Sequence, residues 1–122
     1  MLLKDFYLVN KIETGLDNQY KVQVTLHSDH KIFRGHFPNN PVTPGVCMMQ
    51  IIKELTENIT QKELMLTKGN NIKFVAIINP FTDPVLDLDL TILVEEREVK
   101  IKNSTFFGST LALKLSATYQ TI

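Results

Sequence analysis

One stretch of this 122-residue chain has helix periodicity, and it lies between stretches that alternate like strands. Met48, Ile51, Ile52, Leu55 and Ile59 recur at i, i+3, i+4 and i+7, which gathers them into one stripe on an α-helix. At 100° per residue Gln50, Lys53, Glu54 and Glu57 fall on the opposite side, where contact with solvent is the simplest expectation. One amphipathic helix cannot bury its stripe alone, so the strands must supply the other layer. Residues 6–12 are apolar and β-prone, Gly15-Leu16-Asp17-Asn18 has turn chemistry, and residues 20–27 alternate, which predicts a hairpin. Residues 72–78 form an apolar run closed by Asn79-Pro80-Phe81-Thr82-Asp83-Pro84. Residues 85–92 alternate, residues 99–107 are mixed, Gly108-Ser109 reads as a turn, and Leu111, Leu113, Leu115, Ala117 and Tyr119 alternate in a final strand. Thr60-Gln61-Lys62-Glu63 is open between a short helix and a turn. The expected class is α+β, an antiparallel sheet with one main helix on its apolar face. Residues 1–122 read as a single domain, with no repeat or linker.

Composition narrows the function classes. Apolar residues at 43% and charged residues at 21% suit a globular chain rather than a disordered one. Zero formal net charge offers no bulk attraction to nucleic acid or an anionic membrane. No window reaches the length of a membrane span, and Met1-Leu2-Leu3-Lys4-Asp5 meets charge too early for a secretory signal, so the expected location is cytoplasmic. The single cysteine, Cys47, excludes an internal disulfide and a cysteine-rich zinc site. His27 shares a strand face with Lys21, Gln23 and Thr25, so it and His30 are expected to be solvated. With His36 they lack metal-ligand spacing.

The chemistry concentrates in Arg34-Gly35-His36-Phe37-Pro38-Asn39-Asn40-Pro41-Val42-Thr43-Pro44-Gly45-Val46. Three prolines restrict the loop to few shapes. Thr43 suits an N-cap and Pro44 the first helical position. A helix start offers unpaired N–H donors and positive dipole, and His36 can exchange a proton near neutral pH. A structural turn with a satisfied histidine is the plainer alternative.

Residues 35–46 resemble the G-H-F-P-x-x-P-x-x-P-G-V motif of the 3-hydroxyacyl-[acyl-carrier-protein] dehydratases of fatty acid synthesis. Asn71-Ile72-Lys73-Phe74 followed by Asn79-Pro80-Phe81 is similar to a later strand and turn of that family, and element order agrees over nearly the whole chain. The resemblance implies a hotdog fold, a long sheet wrapped around one central helix. It implies a homodimer joined sheet edge to sheet edge, often assembled further into hexamers, with active sites at the dimer interface. It implies an acyl chain delivered as a phosphopantetheine thioester by acyl carrier protein into an apolar tunnel, and a lyase without metal or other cofactor. His36 matches the catalytic base. The Gly45 N–H matches the donor that polarises the thioester carbonyl. Phe37 and Val46 match residues at the pocket mouth.

Gln50 departs from the family pattern, which has glutamate or aspartate there. An amide has no acidic proton near neutral pH, and general acid help is worth roughly 10²–10⁴ in rate. Glu54, one turn on, is a candidate substitute displaced by roughly 5 Å. Asn39 replaces a glycine common after His-Phe-Pro, and asparagine tolerates left-handed backbone. Cys47, in the first helical turn, is expected to be a core or tunnel-lining side chain rather than a nucleophile. Three functions stay open at this point. They are dehydration of 3-hydroxyacyl thioesters in fatty acid or related lipid and polyene synthesis, a hotdog thioesterase, and a non-catalytic acyl-carrier-binding subunit or partner of an active homologue.

Overall fold

The computed structural model describes residues 5–35 and 42–122. In chain order these form β1 (Tyr7–Thr14), β2 (Gln19–Leu26), α1 (Lys31–Gly35), α2 (Gly45–Thr60), β3 (Leu64–Phe74), β4 (Val85–Val94), β5 (Glu98–Phe107) and β6 (Thr110–Thr121). The strands make one antiparallel sheet in the order β1-β2-β4-β5-β6-β3. β1 and β3 are its edges.

Alternation in the sequence decides which face of the sheet is buried. Val22, Val24 and Leu26 of β2 lie buried beside Leu86, Leu88, Leu90 and Ile92 of β4. The next rows run Leu90–Asn103–Leu115 and Ile92–Ile101–Ala117 across β4, β5 and β6. This face wraps α2, whose Cys47, Met48, Ile51, Ile52, Leu55 and Thr56 are buried, with Ile59 partly buried against them. Asn103 is a polar residue inside this core, and it is satisfied. Its Nδ2 donates to the Asp89 carbonyl at 3.1 Å and its Oδ1 accepts from the Thr105 hydroxyl at 2.9 Å.

Several local expectations are corrected. The N-cap position of α2 is Pro44, at φ −60° and ψ 142°, with no side-chain cap. Thr43 lies one residue before it. Its N–H donates to the Ile78 carbonyl, and its buried hydroxyl has no partner among the described residues. Proline's φ suits either position, but its extended ψ here starts the helix one residue later. Thr60 is the last residue of α2, which Gln61 closes in the left-handed region at φ 56°, so residues 61–63 form a turn rather than another helix and the chain enters β3 at Leu64. That strand begins well before the apolar run at 72–78 and stops at Phe74. A short helix, α1, also precedes the proline-rich loop.

Candidate active site

The start of α2 is built from backbone and apolar surface. Cys47 and Met48 donate their N–H groups to the Pro44 carbonyl, the first bonds of the helix. The Gly45 and Val46 N–H groups precede them and have no acceptor within the helix. Gly45 is helical in backbone, so its reason for being glycine is space. A Cβ placed there would lie 2.7 Å from Cζ of Phe74. The Phe74 ring therefore rests on the Gly45 backbone. Around this contact lies a cavity of about 580 Å³ lined by residues 42–45, Met48, residues 74–78 and Ala112. Its walls are mostly apolar, and Phe74, Val75 and Ile77 stay exposed at its rim.

One turn further along α2 polar side chains join a surface that is still mostly apolar. Gln50 lines a second groove, of about 270 Å³, with Val46, Met49, Lys53, Met65, Leu66 and Tyr119. Val46 is 69% exposed there, so it lies on the outside of the helix rather than in the larger cavity. The Gln50 Nε2 donates to Oε2 of Glu54 at 2.9 Å. Oε1 of Glu54 accepts from the Tyr7 hydroxyl at 2.8 Å. Tyr7 comes from β1, at the far edge of the sheet. It pairs with buried Leu26, so it projects from the concave face toward the helix. Burial, reinforced by the Glu54 hydrogen bond, pushes the Tyr7 phenol well above its ordinary value. Glu57, next on this side of α2, accepts the Leu64 N–H at 2.9 Å. Burial and Glu57 together push the Tyr119 phenol up as well.

The structure thus brings Gln50 and Glu54 into direct contact and places Val46 on the same groove as Gln50, with Gly45 at the helix start beside the apolar cavity. The side of α2 expected to face only solvent is a half-buried hydrogen-bonded row. His36 and Phe37, with Pro38, Asn39, Asn40 and Pro41, lie outside the described residues. Tyr7 was missed by sequence reasoning. Its signal is the register of the first hairpin, which puts it opposite a core leucine. His27 and His30 are half-buried rather than fully solvated. The His27 Nδ1 lies 2.8 Å from the Asp5 carbonyl, and His30 Nδ1 accepts the Ile32 N–H at 3.1 Å. The His30 ring also meets Phe6 edge-on at 5.2 Å. Both shape the turn after β2. Cys47 is buried, and burial raises its thiol, as a core side chain requires. Among the described residues no group of three or more histidines, cysteines and carboxylates is placed to hold a metal ion. No described helix is long and apolar enough to cross a membrane.

A helix enclosed by a six-stranded antiparallel sheet is the hotdog architecture. Solved structures agree with it. The dehydratase heterocomplex ApeI:P from Xenorhabdus doucetiae matches with a TM-score of 0.74 at 17% identity, covering 93% of this chain and 96% of that one. A hypothetical thioesterase with coenzyme A from Streptococcus pneumoniae TIGR4 matches with a TM-score of 0.66 at 10% identity, covering 99% and 91%. At those identities the likeness is one of fold. Family follows from sequence: residues 12–108 match the model of the ApeI-like family, described as ApeI dehydratase, and the chain belongs to that family. It is also similar to the 3-hydroxyacyl-[acyl-carrier-protein] dehydratase FabZ of Caulobacter vibrioides, 31% identical over 104 residues, 83% of this chain. The match spans 65% of that relative's length. FabZ of Rickettsia massiliae is 37% identical over 70 residues, 57% of this chain and 43% of that relative.

Proposed function

We propose that this chain dehydrates 3-hydroxyacyl thioesters carried on acyl carrier protein, in fatty acid or related lipid or polyene synthesis. The observation that carries the reading is the Gly-His-Phe-Pro to Pro-Gly-Val motif running into a helix that begins at Gly45, in a chain of a dehydratase family. His36 takes the proton from the carbon next to the thioester carbonyl. The Gly45 N–H, at the positive end of α2, stabilises the charge that develops on the carbonyl oxygen. Phe37 and Val46 contact the incoming thioester, and the apolar cavity beside Gly45 takes the acyl chain. Gln50 cannot donate an acidic proton. His36 therefore returns the proton it took to the departing hydroxyl. The C–H and C–O bonds break, an enoyl thioester and water leave, and the imidazole ends neutral.

The assembly that fits this reading is a dimer joined through β3. That strand is an edge, and Met65, Leu66 and Phe74 are exposed along it. Met65 and Leu66 also line the Gln50 groove, so a second subunit seated on this edge lies beside the site. The partner is a second copy, with hexamers built from such dimers, or a homologue.

Gln50 favours one other reading, a non-catalytic subunit that holds the acyl carrier or pairs with an active homologue. Dehydration of a 3-hydroxyacyl thioester on carrier protein, measured for wild type, His36→Ala and Gln50→Glu, separates the two. Turnover by wild type that His36→Ala abolishes supports the dehydratase. An inert wild type that gains turnover on Gln50→Glu moves the assignment to the partner role. Silence from all three removes the dehydratase assignment for that substrate and makes thioester hydrolysis the next assay.

A further inference from the structure

We infer that Ala112 sets the length of acyl chain this protein accepts, because a β-bulge turns its methyl into the floor of the apolar cavity beside Gly45. The inference rests on the dehydratase reading for its substrate, and on backbone register and burial for the floor.

Alternation along β6 should send every second residue inward. Leu113, Leu115, Ala117 and Tyr119 obey it and are buried, with Lys114 and Ser116 between them on the outer face. At Ala112 the rule breaks. Thr105 of β5 pairs with Leu113 and Phe106 with Leu111, so β6 carries one extra residue without a partner on β5. That residue is Ala112, and it is fully buried next to buried Leu113. Two consecutive residues inside the core are what a bulge permits, and bulges recur where a sheet re-aims a side chain toward a site. The Ala112 carbonyl is committed as well. It accepts the Val75 N–H at 2.7 Å and the Ala76 N–H at 3.1 Å.

The cavity has a rim and a floor. Phe74, Val75 and Ile77 are exposed at the rim, whereas Met48, Ile78 and Ala112 are buried beneath it. Of these three floor residues only Ala112 is small. A thioester held at Gly45 sends the far end of its chain toward this floor, so short chains stop before Ala112 and long ones meet it. The bonds from Val75 and Ala76 tie the rim to the floor and resist widening of the cavity. A larger side chain at 112 therefore fills space that the substrate would use, because close-packed walls yield little.

The test uses the full chain. Dehydration is measured over a ladder of 3-hydroxyacyl thioesters on carrier protein, from short to long, for wild type, Ala112→Val, Ala112→Leu, Met48→Ala and Ser116→Val. Calorimetric binding of saturated acyl-pantetheine thioesters over the same ladder needs no turnover. Ala112→Val, and more strongly Ala112→Leu, is expected to lower kcat/KM for the longest chains roughly ten- to two-hundredfold, the effect of one methylene too many in an apolar pocket, with the shortest little changed. Met48→Ala moves the best chain to a longer one. Ser116→Val, on the outer face of the same strand, keeps the wild-type profile. A wild-type profile in Ala112→Val overturns the inference, and so does an equal loss at every length or the same shift in Ser116→Val. Where a larger residue at 112 prevents folding, Met48→Ala decides, and an unchanged best length overturns the floor. A wild type that binds the ladder but never turns over overturns the dehydratase reading alone. The floor is then judged by binding: a shorter best-bound chain in Ala112→Val supports it, and an unchanged one overturns it.

Discussion

The two sides of α2 obey different rules. Its inner side, from Cys47 to Thr56, is chosen for volume: the side chains there are close-packed against Leu88, Leu90, Ile101 and Leu113. Its outer side, Gln50, Glu54 and Glu57, is chosen for direction, because each carboxylate or amide is held by a named donor or acceptor. Volume errors cost stability, while errors of direction cost chemistry. A helix that separates the two can vary its outer residues without losing its fold.

The sharpest way to break that separation is Gln50→Glu. It brings a second carboxyl within reach of Glu54, and like charges that close share a proton, raising the apparent titration of the pair. A proton held there near neutral pH is what general acid catalysis needs, so a gain on the order of 10²–10⁴ in dehydration rate is expected. The gain should fade as the pair loses its proton at higher pH, which a pH–rate profile reads directly. Thermal unfolding should change far less than the rate.

The converse change is Ile52→Ala. Ile52 is fully buried, and the cavity left behind should cost about 2–5 kcal/mol in urea unfolding. Activity per folded molecule should fall little. A loss of activity larger than the loss of folded protein would show that the inner side also positions the site.

Gly45→Ala tests the helix start. The new methyl meets the Phe74 ring, but that ring is half-exposed and its far end can move. Stability should shift by less than about 1 kcal/mol. Turnover should drop about ten- to hundredfold, short of the roughly 10²–10³ seen when an oxyanion donor is removed outright.

The smallest effect is alkaline. Tyr7 titrates higher in the folded chain than its unfolded value of about 10. Its contribution is therefore fully present below that pH and is lost as pH rises through the folded value. Tyr119 is shifted the same way. Stability should fall as pH climbs past about 10, and Tyr7→Phe should make that decline shallower in unfolding curves.

The residues explain which parts of this were legible in the sequence. Alternation in residues 20–27, 85–92 and 111–119 identified strands buried on one face, and the stripe from Met48 to Ile59 identified the helix. The first half of β3 was not legible. Leu64-Met65-Leu66-Thr67-Lys68-Gly69-Asn70-Asn71 lies at a sheet edge, is mostly exposed and is interrupted by two register shifts, so no period survives. Tyr7 was hidden similarly. Phe6 to Val9 are all apolar, and the register shift between Val9 and Lys11 breaks the count that would assign a face. Gln50 and Glu54 were placed on one helix side by spacing alone. Their direct bond depends on rotamers and on a strand more than forty residues away, which spacing cannot supply.

The strand order also has a consequence in time. β3 is made directly after α2, yet among the described strands it pairs with β6, which follows β4 and β5 in the chain. A nascent chain therefore carries an unpaired, partly apolar strand through the synthesis of β4 and β5. Pairings this distant close slowly, and an open strand edge invites the wrong partner meanwhile. The moment of greatest exposure falls before residues 110–121 emerge, when a neighbouring nascent chain could supply the missing edge.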